Sequence, residues 1–248
     1  MRNMALTVAY DGTNYHGFQR QRRCSAIQNV LEDRLARIFG GSIELAAAGR
    51  TDAGVHALGQ VISFFTEGTI PIEKIPIAAA SILPNDIVVR AAREVDSDFS
   101  ARFSVESKIY TYRIHVGEFG NPLLDRYAWH VRPPLDVASM RLALSMLVGE
   151  HDFNAFQSSS EVRRNPVRRM LDASIEERLV DGERLLTIAL HANGFLYRMA
   201  RNIVGALVKV GRGQMSIAEF GNIFEGRERN AAPPPAPAHG LCLARVFY

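Results

Sequence analysis

The densest run of chemistry-bearing residues in this 248-residue chain is Ala48-Gly49-Arg50-Thr51-Asp52-Ala53-Gly54-Val55-His56-Ala57-Leu58-Gly59-Gln60. Gly49, Gly54 and Gly59 let the backbone turn sharply. Arg50, Thr51, Asp52 and His56 are polar groups held in a connection bracketed by apolar segments. An aspartate held there could act as a nucleophile or as a general base. An aspartate beside glycine also commonly just closes a turn with its own side chain, and spacing alone does not choose between these roles. His56 could serve the same site or be satisfied by backbone, and it is not counted among the catalytic residues. Metal chemistry is not expected. Cys24 and Cys242 lie far apart with no CxxC partner, and no HExxH pattern occurs.

The loop needs rigid elements around it, and the flanking patterns supply them. Met4 to Tyr10 is apolar and partly β-branched and ends at Asp11-Gly12, a strand and a turn. Ser25 is placed to cap a helix whose Ile27, Val30, Leu31, Leu35 and Ile38 share one face, and Gly40-Gly41 closes it. Ile43 to Ala48 and Gln60 to Thr66 read as the strands on either side of the loop. A short helix over Ile72 to Ser81 and a strand over Ile87 to Arg93 follow. The second half repeats the mixture. It has a strand over Lys108 to Val116, a helix over Val137 to Val148 capped by Asp136, and a hairpin of Leu171 to Leu179 and Glu183 to His191 around Asp181-Gly182. Helices over Phe195 to Val210 and Ile217 to Phe224 and a last strand over Leu241 to Tyr248 complete it. Ala231 to Ala238 holds four prolines and is expected to be an ordered loop or stiff spacer.

This order predicts an α+β fold of two β/α halves, each an antiparallel sheet covered by helices on one face, with a catalytic cleft between them. The expected division is 1–104, carrying the Asp52 loop, and 105–248, completing the cleft. The N-terminus runs straight into a strand with no long apolar segment, so a soluble cytoplasmic protein without a membrane span is expected.

Charge gives a weaker signal. With 29 basic and 26 acidic residues the formal net charge is +3. Lysine occurs only at Lys74, Lys108 and Lys209, so arginine supplies nearly all the cations. Arginine suits bidentate phosphate contacts and stacking on bases, although GC-rich codon usage would also produce the excess. Clustering is more telling. Arg20, Arg22 and Arg23 form one group, and Arg163, Arg164, Arg168 and Arg169 another around Pro166, where contact with RNA phosphates is expected.

GRTDAGVHALGQV resembles the signature loop of the tRNA pseudouridine synthase A family. AYDGTNYHGFQRQ, SILPNDIVVRAAREV, FSARFSVESKIYTYRI, HDFNAF, NGFLYRMARNIVG and the terminal GLCLARVFY resemble further family segments in the family's order, so the likeness spans essentially the full length. The resemblance implies that Asp52 is the catalytic aspartate and that Arg50 helps displace the target nucleotide. It further implies that Tyr110 stacks on the flipped base, that Arg201 pairs with the aspartate, and that Leu241 lines the pocket. It also implies a homodimer acting on uridines 38, 39 and 40 of the tRNA anticodon arm. Phe18 stands where the family often has tryptophan, and keeps an aromatic ring there.

The implied reaction breaks the C1′–N1 glycosidic bond, rotates the uracil and rejoins it through C5. Nothing is oxidised and no group enters or leaves, so no cofactor is required. The target base must be flipped out of its stack, at a cost of a few kcal/mol. Asp52 could attack C6 of the uracil or act at the sugar, and both routes remain open. Two other readings compete. A non-catalytic RNA-binding protein would keep the arginine clusters without needing Asp52, Arg201 and Tyr110 together. A nucleoside hydrolase or glycosidase would release free uracil and would normally use a second carboxylate, for which the sequence offers no clear position.

Overall fold

A computed structural model describes residues 1–21, 24–158, 165–226 and 234–248. Arg22, Arg23, Arg163, Arg164 and part of the proline stretch lie outside the described residues. The fold is a mixed α/β one with mostly antiparallel strands and five α-helices among the described residues. The chain forms two compact units, Met1–Glu106 with Cys242–Tyr248, and Ser107–Leu241.

In the first unit, β1 (Arg2–Tyr10) runs antiparallel to both β3 (His56–Thr66) and β4 (Ile87–Val95). The two-residue β2 (Ala46–Ala47) pairs with β3 where a longer strand over Ile43 to Ala48 is predicted. The C-terminal strand β10 (Leu241–Phe247) lies parallel to β3, with Cys242 opposite His56 and Leu243 opposite Ala57. This pairing brings the end of the chain back to the first unit, whereas division by sequence position places it in the second. Helix α1 (Ile27–Phe39) buries Ile27, Leu31, Leu35 and Phe39, and Phe39 meets Phe64 of β3 edge-on at 5.1 Å. Gly40 closes it in the left-handed conformation, φ 75°. Its start differs from the sequence expectation. The cap position is Ala26, not Ser25, and no side chain caps it. The amides of Ile27 and Gln28 donate instead to the carbonyls of Gly17 (3.2 Å) and Phe18 (2.9 Å). Those carbonyls satisfy orphan donors of the first turn, so a side-chain cap is dispensable. The predicted helix over Ile72 to Ser81 is a 3₁₀ turn, Ile72–Lys74, leading into α2 (Ile75–Ala80).

In the second unit, β5 (Ser107–Val116) pairs in parallel with the short β6 (Trp129–Val131) and antiparallel with β9 (Glu183–Ala192). β9 forms the hairpin with β8 (Val167–Val180), and β8 continues onto β7 (Gly149–Asp152), which the sequence reading lacked. Asp181 (φ 53°) and Gly182 (φ 83°) supply the two left-handed residues that such a tight hairpin requires. Asp136 caps α3 (Val137–Ser145), accepting from the Ser139 amide at 3.1 Å. Helix α4 (Met199–Gly211) starts at Met199, later than the apolar pattern from Phe195 suggests, because Arg198 just before it is left-handed (φ 59°). Buried Ile203, Val204, Leu207 and Val208 anchor α4, and α5 (Ile217–Gly226) follows.

A buried histidine held by two carboxylates clamps this sheet. His115 of β5 is fully buried, with Nδ1 2.7 Å from Asp125 and Nε2 3.0 Å from Glu183 at the start of β9. Burial works against a charge on the ring. The hydrogen bonds and charges of the two carboxylates outweigh it and hold the His115 pKa above its ordinary value. A raised folded value means that this stabilisation is complete below the ordinary histidine pKa of about 6.5 and disappears as pH rises through the folded value. Replacing His115 with glutamine is therefore expected to cost about 1–3 kcal/mol on the acid side. Its deficit relative to wild type should shrink toward alkaline pH. Urea unfolding at several pH values checks this, and a gap independent of pH would contradict it.

Candidate active site

The Asp52 loop is stitched to the segment following β1 by hydrogen bonds spread along both. The Tyr10 hydroxyl meets Thr51 Oγ1 at 2.8 Å, and Phe18 N–H donates to the Thr51 carbonyl at 3.0 Å. Gly54 N–H donates to the Tyr15 carbonyl at 3.3 Å, and Gly12 N–H donates to His56 Nδ1 at 3.1 Å. Gln60 Nε2 donates to the Gly49 carbonyl at 2.8 Å, closing the loop's base. Two glycines allow this approach. A Cβ at Gly12 would collide with the Val55 carbonyl, and one at Gly17, which is left-handed (φ 90°), would sit 2.8 Å from the Thr51 carbonyl. The spacing of AYDGTNYHGF is thus a packing requirement of the loop it faces.

Within this frame Thr51, Val55 and His56 are buried, Asp52 is half-buried and Arg50 is exposed. The loop offers a carboxylate partly open to its surroundings on a backbone fixed at both ends. Burial pushes the Tyr10 hydroxyl far above its ordinary pKa, so it stays protonated and can donate to Thr51. Tyr15 is also raised, first by burial and then by its hydrogen bond to Asp86 at 2.7 Å.

The second unit carries the other expected site residues. Tyr110 on β5 is 8% exposed, and its ring meets Phe195 edge-on at 4.9 Å. Two residues along the same face, Tyr112 is buried and its hydroxyl donates to the Pro237 carbonyl at 2.8 Å. Arg201, in the first turns of α4, donates from Nε to the Ala236 carbonyl at 2.7 Å, and Ala236 N–H returns a bond to the Arg201 carbonyl at 3.0 Å. Gly205, one turn on, permits the Pro234 carbonyl to approach, since a Cβ there would lie 2.5 Å from it. The described part of the proline stretch is therefore an ordered strap over α4. Leu241 is buried at the start of β10.

Of the arginines expected to meet RNA, Arg20 is exposed and pairs with Glu32 at 3.3 Å. Arg169 is exposed, and Arg168 folds back onto the carbonyls of Asn165 and Val167. Sequence reading passed over Tyr10, Gln60 and the His115 clamp. Their partners lie up to 68 residues away with no local pattern to announce them. Among the described residues no helix is long and apolar enough to cross a membrane.

A mixed α/β protein with an aspartate on a braced, partly open loop fits an enzyme that works through a positioned carboxylate. A family profile described as tRNA pseudouridine synthase matches residues 6–104 and 143–248. The chain belongs to the tRNA pseudouridine synthase A family, and it is an isomerase that converts uridine in tRNA to pseudouridine. The tRNA pseudouridine synthase A of Thermoanaerobacter sp. is 42% identical over 248 residues, covering 100% of both chains. That of Anoxybacillus flavithermus is 43% identical over 249 residues, covering 100% of this chain and 99% of its own. That of Geobacter sulfurreducens is 42% identical over 248 residues, again with full coverage of both. Asp52, Arg50, Arg201 and Leu241 fall inside the segments matched by the profile; Tyr110 falls between them.

Proposed function

We propose that this chain modifies uridines 38, 39 and 40 of the tRNA anticodon arm, with Asp52 as the group that acts on the flipped uridine. The observation that carries the reading is Asp52 itself, half-buried on a loop held by Thr51 and Gly54 on either side of it. A carboxylate fixed by its backbone needs little reorganisation to meet a reacting atom. Tyr110 stacks on the extruded uracil, Leu241 lines the pocket, and Arg50, exposed two residues before Asp52, occupies space vacated by the nucleotide. Arg201, braced by its bond to Ala236, is the arginine that pairs with this carboxylate in the proposed site. No cofactor or metal takes part. The protein works as a homodimer in the cytoplasm.

The test is a purified protein incubated with an unmodified tRNA transcript tritiated at uracil C5, with release of label to water as the readout. Label released from intact RNA, and lost when uridines 38, 39 and 40 are replaced by cytidine, supports the reading. Release that survives those replacements places the target elsewhere, and free uracil in the medium indicates hydrolysis.

Binding is expected to draw on Arg20, Arg22 and Arg23 and on the second arginine cluster. Reversing Arg163, Arg164, Arg168 and Arg169 to glutamate should weaken tRNA binding and flatten its salt dependence by roughly one unit of slope for each lost phosphate contact. A slope equal to wild type would show that these side chains only face solvent.

A further inference from the structure

His56 opens β3, four residues beyond Asp52, and is 6% exposed. Its Nδ1 has two neighbours at the same distance: the Gly12 amide at 3.1 Å and Asp11 Oδ1 at 3.1 Å. One ring nitrogen carries either a lone pair or a proton in the plane of the ring. With the lone pair it accepts from Gly12 N–H and turns that lone pair toward the carboxylate. With the proton it bonds Asp11 and confronts Gly12 with a second donor. The two contacts cannot be satisfied together, so whether Nδ1 carries a proton decides which one holds.

The choice matters because Gly12 and Val55 are jammed together, and the bond from Gly12 closes the same set of stitches that fixes Thr51 and Gly54. Asp11 is already engaged, with Oδ1 accepting from the Thr13 amide at 3.0 Å and the Thr13 hydroxyl at 2.5 Å, and it can hold its position without the histidine. Titratable groups on the segments packed around His56 include Tyr10, Tyr15, Asp86 and Cys242. The Asp86 carbonyl holds the Asp11 amide and its carboxylate holds Tyr15; Cys242 is opposite His56 in the β3–β10 register.

We propose that His56 is a positioning residue for the Asp52 loop and that its neutral form, with the Nδ1 lone pair on Gly12 N–H, is the working one. Protonation exchanges the Gly12 bond for the Asp11 contact, slackens the loop against the β1 turn, and lowers kcat rather than tRNA affinity. This rests on Asp52 being the acting carboxylate. The two variants that separate this from a packing role are His56→Asn and His56→Leu. An asparagine side chain can place its oxygen where Nδ1 stands and accept from Gly12 N–H, and it does not titrate. Leucine fills the space but accepts nothing.

The experiment measures kcat and KM for label release from C5-tritiated tRNA across roughly pH 5 to 8, the window in which an ordinary histidine changes charge, together with Tm and tRNA affinity. His56→Asn is expected to keep most of the wild-type kcat at the alkaline end and to lose the decline of kcat toward acid pH. His56→Leu is expected to lose roughly 10²-fold in kcat, as a small misplacement of a reacting group can cause, with KM little changed. If His56→Asn falls as far as His56→Leu, or keeps the acid decline of wild type, the proposal is overturned, and that holds even if the leucine variant fails to fold. Asp52→Asn measured alongside separates the two ideas. Activity in that variant would remove the reading of Asp52; its inactivity together with an unrescued asparagine at position 56 would remove the role of His56 alone.

Discussion

Replacing Asp52 with asparagine is expected to stop turnover while leaving the fold and tRNA affinity close to wild type. The loop around it is held by the Thr51 hydroxyl and carbonyl, the Gly54 amide and the His56 ring, and Asp52 contributes its own carbonyl to Val55 N–H at 3.1 Å. Those bonds pass through neighbours and backbone, so an amide of nearly the same shape fits without disturbing them. What the amide lacks is the negative charge, and with it the capacity to be a nucleophile or a base. Removing such a group costs on the order of 10⁴-fold or more in kcat. Loss of label release with unchanged tRNA affinity and Tm is the expected result. Release at the wild-type rate would mean that another residue carries the reaction.

Tyr110 is expected to give the second-largest effect, and two substitutions divide its work. Its ring is fixed against Phe195 at 4.9 Å with 8% of the residue left exposed, which suits a stacking platform that need not reorganise. Stacking on an extruded base is worth about 1–3 kcal/mol. Its hydroxyl could also take the C5 proton at the end of the reaction, and a positioned base contributes on the order of 10²–10⁴ in rate. Tyr110→Phe should therefore bind tRNA about as well as wild type, rejoin the uracil through C5, and release label slowly while a C5-linked intermediate builds up on the RNA. Tyr110→Leu should fail earlier, because the flipped state itself is less stable. Wild-type turnover by the phenylalanine variant would assign the proton to another acceptor. Wild-type turnover by both would make Tyr110 a packing residue, like its neighbour Tyr112.

The pair Tyr110 and Tyr112 also marks where sequence patterns stop. Alternation along a strand puts both tyrosines on one face of β5 but cannot say which is sealed by the rest of the fold. Tyr112 is sealed because the proline stretch, more than a hundred residues later, brings the Pro237 carbonyl onto its hydroxyl and Gly240 against its ring. The sequence by itself determined most of the longer strands, most helix cores, the hairpin at Asp181-Gly182 and the family motif around Asp52. Each of these rests on local periodicity, on glycine at positive φ, or on a contiguous motif. It also placed the closing glycine of α1 and the cap of α3, where a single residue suffices. Tertiary structure decided the rest. Ser25 lost its capping role to the carbonyls of Gly17 and Phe18, and the final strand joined β3 of the first unit. His115 found carboxylate partners 10 and 68 residues away that raise its pKa. His56 found an amide and a carboxylate on one ring nitrogen. These outcomes depend on contacts between segments remote in the chain, and neither propensity nor spacing encodes which buried donor meets which acceptor. That choice follows only once the packed backbone requires every buried polar group to find a partner.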